Sequence, residues 1–516
     1  MQIVISNIKM PIRHNSEDVT EAARKIVRSC CVSAKNFRIY KQALDARRKN
    51  NIHYVYTVAA EVPDGTRLGE NMRILDDGAD FEPVKSALRS RPVVVGMGPC
   101  GLFAAWVLAK SGNPPLIIER GEDVDSRSRS VKNFWKSGIL NPESNVQFGE
   151  GGAGTFSDGK LTTRISDPRQ RFVLKTFAEM GAPEDILYRA KPHIGTDILH
   201  MVIKNMRCRL IEAGAEVRFG TRLTALDIKG GAIRGIEVNG GEYIPCDNVV
   251  LAIGHSSRDT YEMLTKTGIS AEPKPFAVGV RIEHEQEFIN RMQYGKIEGL
   301  PPADYRVVWN GRDRSCYSFC MCPGGTVVNA SSEAGMLAVN GMSEHSRGGR
   351  NANSALVVTV KPSDFEDGIL GGMALQRGYE KLAFELGGSD GSAPIQLAAD
   401  FAADRPSIGL KNVIPTVTSG FKLAELKNCL PPFVTETLRE GLCDFERRMC
   451  GFVSGGAVLT GIESRTSAPI RFLCTESGES ISCRGLYPSG EGAGRAGGIV
   501  SAAVDGIRAA SAILGM

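Results

Sequence analysis

The 516-residue sequence contains no Cys-X-X-Cys pair and no zinc-type repeat, although it has 13 cysteines. That absence excludes the common zinc modules and the dithiol motif of thioredoxin-like proteins, and we predict no metal site. Internal repeats and low-complexity tracts are also missing. Charged residues make up 23% of the chain and hydrophobic residues 42%. This is the composition of a globular protein, and it excludes extensive disorder.

A secretory signal is missing as well, because MQIVISNIKMPIRHNSED has no basic segment followed by an apolar run. Residues 92–109 are apolar and uncharged, but their glycines and proline divide them into a strand, a turn and a helix start. We therefore predict no membrane span. The odd number of cysteines favours free thiols in a reducing compartment. We expect a soluble cytoplasmic protein.

The length of the chain predicts two to four folding units. The pattern of the first 90 residues indicates a helix over residues 16–33, with Ser16 as its N-cap, and strands over 2–7, 37–40 and 53–61. After residue 91 the pattern becomes strand, helix, strand. The predicted units are a small N-terminal α/β domain (1–90), the first segments of a nucleotide-binding domain (91–274), an inserted substrate-side domain (275–450) and the last segment of the nucleotide-binding domain (451–516).

The strongest local motif is VVVGMGPCG at residues 93–101. Gly96 permits a tight turn out of the strand, Gly98 allows close approach of a pyrophosphate, and Gly101 allows the helix to pack on the strand. Glu119 follows Gly96 by 23 residues, at the end of the next predicted strand. Its carboxylate is placed to accept hydrogen bonds from the hydroxyls of an adenosine ribose.

A second glycine-rich segment decides between FAD and NAD. GEGAGRAGG at residues 490–498 comes just before a small-residue helix predicted over 499–514. The N-terminus of that helix can stabilise negative charge on a reduced flavin, and Glu491 can bond a ribityl hydroxyl. Since the sequence has only one GxGxxG fingerprint, a second dinucleotide site is not indicated. We therefore predict FAD.

A third segment, QFGEGGAGTFSDGKL, covers residues 147–161. Its glycines would bring main chain against the flavin, and Ser157, Asp158 and Lys160 would place polar groups beside it. Lys160 could hold anionic character on the flavin or the substrate. The alternative is a loop that wraps the ribityl chain and pyrophosphate without a chemical role.

These segments, together with LAIGHSSRD, PFAVGVRIEH, YSFCMCPGG, TVVNASSE and QALDARRKNNIHYVYTV, resemble bacterial FAD-dependent dehydrogenases often labelled NAD(FAD)-utilising. The resemblance spans nearly the whole chain. It implies an α/β protein with a Rossmann-like FAD-binding fold of the glutathione-reductase type, assembled from separated segments. It also implies an inserted α+β domain on the substrate side, and it leaves the substrate open.

The inserted region offers further polar candidates. Arg281 or Arg465 could bind a substrate carboxylate bidentately, although such residues are more often structural. Cys320 and Cys322 are interpreted as buried small hydrophobic residues, with a redox role as the alternative. His255 is expected to shape its turn. The other polar residues noted in this region are Glu283, His284, Asn329 and Glu463.

Nine basic residues stand between Arg24 and Lys49, against one acidic residue, Asp45. They could meet RNA or an acidic partner. Alternatively they form a solvated face that is balanced by the acidic stretch from Glu61 to Glu82.

The leading hypothesis is an FAD-dependent oxidoreductase of the dehydrogenase type, which passes a hydride or electrons between a small-molecule substrate and an acceptor. The alternatives are a flavoenzyme that acts on RNA docked by the N-terminal domain, and a flavin-binding redox sensor without turnover. We predict Asp158, Lys160 and Arg465 as catalytic residues. The predicted cofactor-binding residues are Gly96, Gly98, Pro99, Cys100, Gly101, Glu119, Arg120, Gly151, Gly152, Gly154, Thr155, Ser157, Lys160, Leu161, Gly254, Gly490, Glu491, Gly497, Gly498 and Ile499.

Overall fold

The computed structural model describes residues 1–30, 32–76, 80–163 and 165–516. The first elements form a four-stranded sheet in the order β2-β3-β1-β4, covered on one face by a helix. They are β1 (Gln2–Met10), α1 (Ser16–Ser29), β2 (Lys35–Asp45), β3 (His53–Glu61) and β4 (Met72–Ile74).

Three details of this domain differ from the prediction. The N-cap of α1 is Asn15 rather than Ser16, because the Asn15 side chain accepts from the amide of Asp18 while the Asp18 carboxylate accepts from the amide of Asn15. The helix ends at Ser29, four residues earlier than predicted. Strand β2 runs over 11 residues because it pairs with β3 along its whole length.

The next segment supplies most of the nucleotide-binding domain. Its elements are β5 (Val93–Val95), α2 (Pro99–Lys110), β6 (Leu116–Ile118), α3 (Val124–Ser137), α4 (Arg169–Glu179), α5 (Thr196–Glu212), β7 (Glu216–Arg218), β8 (Leu223–Lys229), β9 (Ala232–Val238), β10 (Glu242–Pro245), β11 (Val249–Leu251), α6 (Arg258–Lys266) and β12 (Ala271–Pro273). Short 3₁₀ helices cover Ala153–Phe156 and Glu184–Leu187.

The remaining elements are β13 (Phe276–Glu285), α7 (Gln286–Tyr294), β14 (Val308–Asn310), β15 (Ser315–Cys322), β16 (Thr326–Asn329), β17 (Val339–Met342), β18 (Asn351–Val360), α8 (Gly371–Leu386), β19 (Ala393–Leu397), α9 (Ala398–Ala402), β20 (Phe421–Leu423), α10 (Pro432–Arg448), β21 (Val458–Glu463), β22 (Ile470–Phe472), β23 (Leu486–Pro488) and α11 (Ile499–Ile513).

A five-stranded parallel sheet, in the order β23-β11-β5-β6-β7, organises the nucleotide-binding domain. Its strands are short and fully apolar at the centre, since helices and a hairpin sheet cover both faces. On one face α2, α5 and α11 form a single core. On the other face lies the antiparallel sheet β10-β9-β8. This is the predicted Rossmann-like fold, and it is confirmed.

A second sheet of seven strands, in the order β14-β15-β18-β13-β21-β19-β20, carries the inserted region. Strand β21 belongs to this sheet, although the predicted boundary at residue 450 assigns it to the nucleotide-binding domain. The physical reason is that Val458–Glu463 is buried throughout and pairs with both β13 and β19.

Candidate cofactor and substrate site

The carboxyl ends of four parallel strands bring the predicted motifs to one edge of the sheet. Gly96 follows β5, Glu119 follows β6, Gly254 follows β11 and Gly490 follows β23. Because neighbouring strands run in the same direction, these residues meet although they are far apart in the chain. Ligands of open α/β sheets bind at this edge.

The fingerprint turn has the geometry that its glycines predict. Gly96 has φ +97°, and a β-carbon there would overlap the carbonyl oxygen of Ala252. A β-carbon on Gly101 would overlap the carbonyl oxygen of Gly96, so the helix packs directly on the turn. Helix α2 begins at Pro99, and its N-cap Gly98 offers no side-chain oxygen. The first amides of α2 therefore remain available to a phosphate.

Glu119 connects the fingerprint to the third glycine-rich segment. Its buried carboxylate accepts hydrogen bonds from the amides of Met97 (2.8 Å), Gly121 (2.9 Å) and Gly149 (3.0 Å). A carboxylate has about four acceptor positions. One position is left for a ribose hydroxyl. The next residue, Arg120, forms ion pairs with Glu143 and Asp259 and lies over the ring of Phe148 at 4.1 Å.

The three glycine-rich segments meet in the structure. A β-carbon on Gly152 would lie 3.0 Å from the α-carbon of Gly98, and one on Gly154 would lie 3.2 Å from the side chain of Ile499. By contrast, a β-carbon on Gly497 or Gly498 would have no atom within 4 Å, and both residues are exposed. The partly exposed backbone of these glycines lies beside the N-termini of α2 and α11, and we call this surface the glycine-walled cleft. These features fit FAD, which needs close backbone approach and two amide-rich helix ends.

Several of the predicted cofactor residues already have protein partners. The amide of Gly498 donates to Glu491, whose carboxylate also lies 3.8 Å from the imidazole of His255. Cys100 is buried between Gly490 and Gly506, since a β-carbon on either glycine would touch it. Burial raises the pKa of the Cys100 thiol well above its ordinary value, so this cysteine serves packing.

The loop that leads to Lys160 is held in one conformation by hydrogen bonds. Thr196 donates from its hydroxyl to the carbonyls of Thr155 (3.1 Å) and Ser157 (2.8 Å). Ser157 donates to the carbonyl of Gly154 at 2.7 Å, and Leu161 is buried. The loop therefore presents Lys160 from a rigid support.

Lys160 stands at the partly open end of this loop, with 32% of its side chain exposed. Its ammonium donates to the carbonyl of Met321 and lies 3.7 Å from the carboxylate of Asp158. Asp158 is buried and is also bound by Arg347, at 3.0 Å from Nε, and by Ser343. Two cations share one carboxylate, so the cluster carries a net positive charge.

Cys320 and Cys322 lie beside Lys160 on a β-bulge between Phe319 and Cys322. Cys322 is buried, as expected. The prediction is wrong for Cys320, which is exposed, because the bulge and its φ of +44° turn this residue out of the sheet. Surrounding protein nevertheless raises the pKa of the Cys320 thiol to about 12, against the opposing effect of Lys160. The thiol therefore stays protonated at neutral pH.

Arg281 lies directly behind the bulge and is fully buried. Its guanidinium donates to Asn353 (2.7 Å), to Glu463 (2.8 Å) and to the carbonyl of Cys320 (2.6 Å). Arg281 therefore binds the carboxylate of Glu463 rather than one of a substrate. Its link to the bulge beside Lys160 is the hydrogen bond to the Cys320 carbonyl.

Arg465, the third predicted catalytic residue, lies in a separate buried cluster. Its Nε and Nη2 donate to Glu380 at 3.0 and 2.8 Å, and its Nη1 donates to Ser332. Arg258 binds the same carboxylate from α6 at 2.8 and 2.9 Å. Burial raises the pKa of Glu380, but the two guanidiniums outweigh it and hold the pKa well below its ordinary value. All three nitrogens of Arg465 are engaged, and its catalytic role stays a prediction.

A protein of Clostridium beijerinckii, named only as an uncharacterized protein, is 49% identical to this chain over 530 residues, which cover 100% of this chain and 99% of that protein. The chain belongs to the family of that protein. Two family descriptions match parts of it: "FAD-dependent protein, C-terminal domain-like" over residues 275–466, and "Domain of unknown function (DUF8436)" over residues 1–61. With the three glycine-rich segments gathered at one edge of the parallel sheet, the first match identifies FAD as the cofactor and the chain as an FAD-dependent protein.

More distant proteins are similar over parts of the chain. Thiamine thiazole synthase of Aeropyrum pernix is 28% identical over 160 residues, which cover 31% of this chain and 47% of that protein. A solved structure of a geranylgeranyl bacteriochlorophyll reductase-like protein of Thermoplasma acidophilum is 13% identical, with a TM-score of 0.34, over 82% of this chain and 77% of that chain. A likeness of that size carries no argument about the reaction of this FAD-dependent protein.

The remaining candidates of the inserted region have protein partners. Glu283 accepts from the Thr416 hydroxyl at 2.6 Å and from Asn351 at 3.0 Å. His284 bonds the carbonyl of Phe452 at 2.8 Å, and burial lowers its pKa to about 4. Asn329 donates to the carbonyl of Gly391 at 3.2 Å. These contacts are those of side chains that hold the sheet and its loops together.

Sequence reasoning missed Arg347, Ser343, Thr196 and Glu380. Arg347 is 189 residues away from the carboxylate that it binds, so no local pattern signals the pair. Within the described ranges, we find no group of three or more His, Cys, Asp or Glu side chains that could hold a metal ion. In that same part of the chain, no helix is long and apolar enough to cross a membrane.

Proposed function

We propose that this FAD-dependent protein is an oxidoreductase of the dehydrogenase type, which moves a hydride or electrons between a small-molecule substrate and an acceptor. The observation that supports it is the position of Lys160. A partly exposed ammonium, with its charge only half-neutralised by Asp158, lies at the end of the loop that borders the glycine-walled cleft. Such a group stabilises negative charge that develops during a reaction.

Bound FAD would supply the two-electron chemistry, and the chain would supply positioning and electrostatics. The residues that would hold it are the fingerprint glycines, Glu119 and the amides at the start of α11. Lys160 has three donors, of which one is bound to Met321. Its remaining donors can orient an anionic group of the substrate.

The test is anaerobic titration of the purified full-length protein with NADH and, separately, with NADPH, followed by its visible spectrum. Rapid loss of the flavin band with either nucleotide supports a reductase that uses pyridine nucleotides. A band that persists with both nucleotides directs the search to a direct substrate donor. A protein that binds no FAD, even after reconstitution, contradicts the proposal.

A second candidate function is docking of RNA on the N-terminal domain. Its support is that Lys35, Arg38 and Lys41 are exposed on β2 and have no carboxylate within 4.0 Å in the described residues. Ion pairs of the acidic stretch go elsewhere, for example from Asp64 to the N-terminus and from Asp80 to Lys175. A different explanation is that lysines on an edge strand prevent association with another sheet.

RNA binding that weakens steeply with salt, and that is lost when Lys35, Arg38 and Lys41 are changed together to Gln, supports the docking candidate. Absent or salt-insensitive binding contradicts it. The same three substitutions leave flavin reduction by small donors unchanged if the two functions are separate.

A further inference from the structure

The N-terminal sheet does not end at its edge strand β2. Outside β2 lies a segment of the nucleotide-binding domain, residues 188–190. The amide of Gln42 donates to the carbonyl of Tyr188 at 2.8 Å, and the carbonyl of Gln42 accepts from the amide of Ala190 at 2.8 Å. The two domains are thus joined through backbone groups, and the N-terminal sheet gains one short parallel pairing.

The same segment continues directly to the loop of Lys160. The amide of Leu161 donates to the carbonyl of Pro192, and the amide of Ile194 donates to the carbonyl of Gly159, both at 3.0 Å. These two bonds enclose Lys160, which lies opposite His193. Residues 188–194 therefore bond the N-terminal domain at one end and the Lys160 loop at the other.

The connection is short and stiff. Only Lys191 stands between Ala190 and Pro192, the nearest residues of the two sets of bonds. Lys191 is bound to both carboxylate oxygens of Asp304 at 2.8 Å, and the ring of Pro192 fixes its φ angle. The four residue steps from Arg189 to His193 span at most about 14 Å. A shift of the backbone at Gln42 is therefore transmitted through this segment to the loop of Lys160.

The N-terminal domain also packs against the core of the seven-stranded sheet. Ile52 is buried in the core of the seven-stranded sheet, and Leu44 and Ala46 pack against that core. Strand β15 of this sheet carries Met321, whose carbonyl binds Lys160. The domain thus fixes both the loop that carries Lys160 and the sheet that carries its acceptor.

We propose that the N-terminal domain positions Lys160 for flavin chemistry and that it acts through the backbone of Gln42. Gln42 is then a positioning residue, and it touches neither substrate nor cofactor. The inference rests on the proposed function, because it assigns the domain a part in the reaction attributed to Lys160.

The test compares Gln42→Pro with Gln42→Ala in the full-length protein. Both variants lose the hydrogen bond from the Gln42 side chain to the Tyr56 hydroxyl, but only proline loses the amide that reaches Tyr188. The ladder with β3 is spared, because both backbone groups of Gln42 point away from that strand.

Hydrogen exchange measured by mass spectrometry is the first readout. In Gln42→Pro we expect exchange at residues 159–161 and 190–194 to rise about tenfold. Gln42→Ala should match the wild type. The rate of flavin reduction should fall about tenfold in the proline variant alone, since a small misplacement of a group near the reacting atoms is costly.

A second pair of variants breaks the bridge from the other side and leaves the N-terminal sequence intact. Ala190→Pro removes the amide that donates to Gln42, and Ala190→Ser keeps it. If Gln42→Pro does not fold, this pair provides the test. We expect faster exchange at residues 159–161 and 191–194 in Ala190→Pro and no change in Ala190→Ser.

Faster exchange confined to residues 188–190 in both proline variants, with residues 159–161 unchanged, would overturn the inference. Hydrogen exchange is measured without turnover, so it tests the positioning of Lys160 separately from the proposed oxidoreductase function. If it reaches Lys160 while no donor reduces the wild-type flavin, the positioning contact stands and the proposed function fails.

Discussion

Two clusters of charged side chains border the FAD domain, and they differ in how completely the charges are neutralised. In the cluster around Glu380, Arg258 and Arg465 meet two carboxylates, because Arg258 also binds Glu333. The Glu380 carboxylate receives four guanidinium hydrogen bonds and one from Ser464, and it is fully buried. In the cluster around Asp158, Lys160 and Arg347 share a single carboxylate, and about a third of the Lys160 side chain is exposed. The same residue types therefore hold two domains together in the Glu380 cluster, whereas in the Asp158 cluster they remain able to bind a ligand.

The comparison explains why residue type alone did not separate structure from chemistry. Arg465 and Lys160 were both predicted to be catalytic, and each stands in a polar string within apolar sequence. What separates them is the number of donors left unbound and the exposure of the head group, and both depend on partners distant in sequence.

The largest expected effect is on stability, at Glu380. Glu380→Gln leaves Arg465 buried without a counter-charge, while Arg258 keeps its ion pair with Glu333, so the free energy of unfolding should fall by about 3–5 kcal/mol. Denaturant unfolding of the variant and the wild type measures this. Glu385→Gln on the exposed side of the same helix is the control and should change stability by less than about 0.5 kcal/mol. Equal effects at the two positions would remove the distinction between the clusters.

The next effect concerns chemistry, at Lys160. Lys160→Met removes a cation beside the cleft, and we expect flavin reduction to slow about 100-fold with little change in stability. The midpoint potential of the flavin, measured against a reference dye, should become more negative, because the reduced anionic form loses its partner. Lys160→Arg keeps the charge and should retain most of the rate. If the rate and the midpoint potential are unchanged in the methionine variant, Lys160 has only a structural role in its loop.

Acid should act on the Glu380 cluster. The guanidiniums hold the pKa of Glu380 below the ordinary value of 4.5, so below that pH the unfolded chain binds a proton that the folded protein does not. The contribution of this group is therefore complete above about pH 4.5 and is lost as the pH falls, by at most about 1.4 kcal/mol per pH unit. Glu380→Gln should have a shallower acid slope than the wild type between pH 4.5 and 3.5. Parallel slopes would mean that other groups control acid unfolding.

The smallest effect is expected at Cys320. Its thiol is protonated at neutral pH, since loss of hydration to the surrounding protein raises its pKa to about 12. Cys320→Ser should therefore change the rate of flavin reduction less than about threefold and stability by less than about 0.5 kcal/mol. A variant that is no longer reduced by its donor would show that the cysteine takes part in electron transfer.

Local patterns were sufficient for the nucleotide-binding half. The fingerprint turn, the position of Glu119 and the start of α11 follow from glycine spacing and apolar runs, which act over a few residues. Thr196, Ser343 and Arg347 could not be found in this way, since each bonds a group 39 to 189 residues distant. The end of the inserted sheet was misplaced for the same reason, because β21 is an ordinary apolar strand whose partners alone assign it.

The exposure of Cys320 shows another limit. In a regular strand, side chains alternate between the two faces, so Cys320 and Cys322 of SFCMC would lie on the same face. The sequence therefore gives no sign that Cys320 is exposed while Cys322 is buried. The β-bulge that does so depends on the pairing with β18, and Arg281 holds the carbonyl of Cys320 from a third strand.

The order of strands in the parallel sheet has a consequence for biosynthesis. Strand β5 lies between β6 and β11, while β23 and α11 complete the sheet and its core about 400 residues later in the chain. Until then α2, which is buried along nearly its whole length, has no α11 to cover it. A growing chain therefore exposes this apolar helix for most of its synthesis, and such surface attracts chaperones. The FAD site is completed only when α11 has been synthesised, so the cofactor binds late. Because FAD binds the folded chain and not the unfolded one, its binding then stabilises the completed domain.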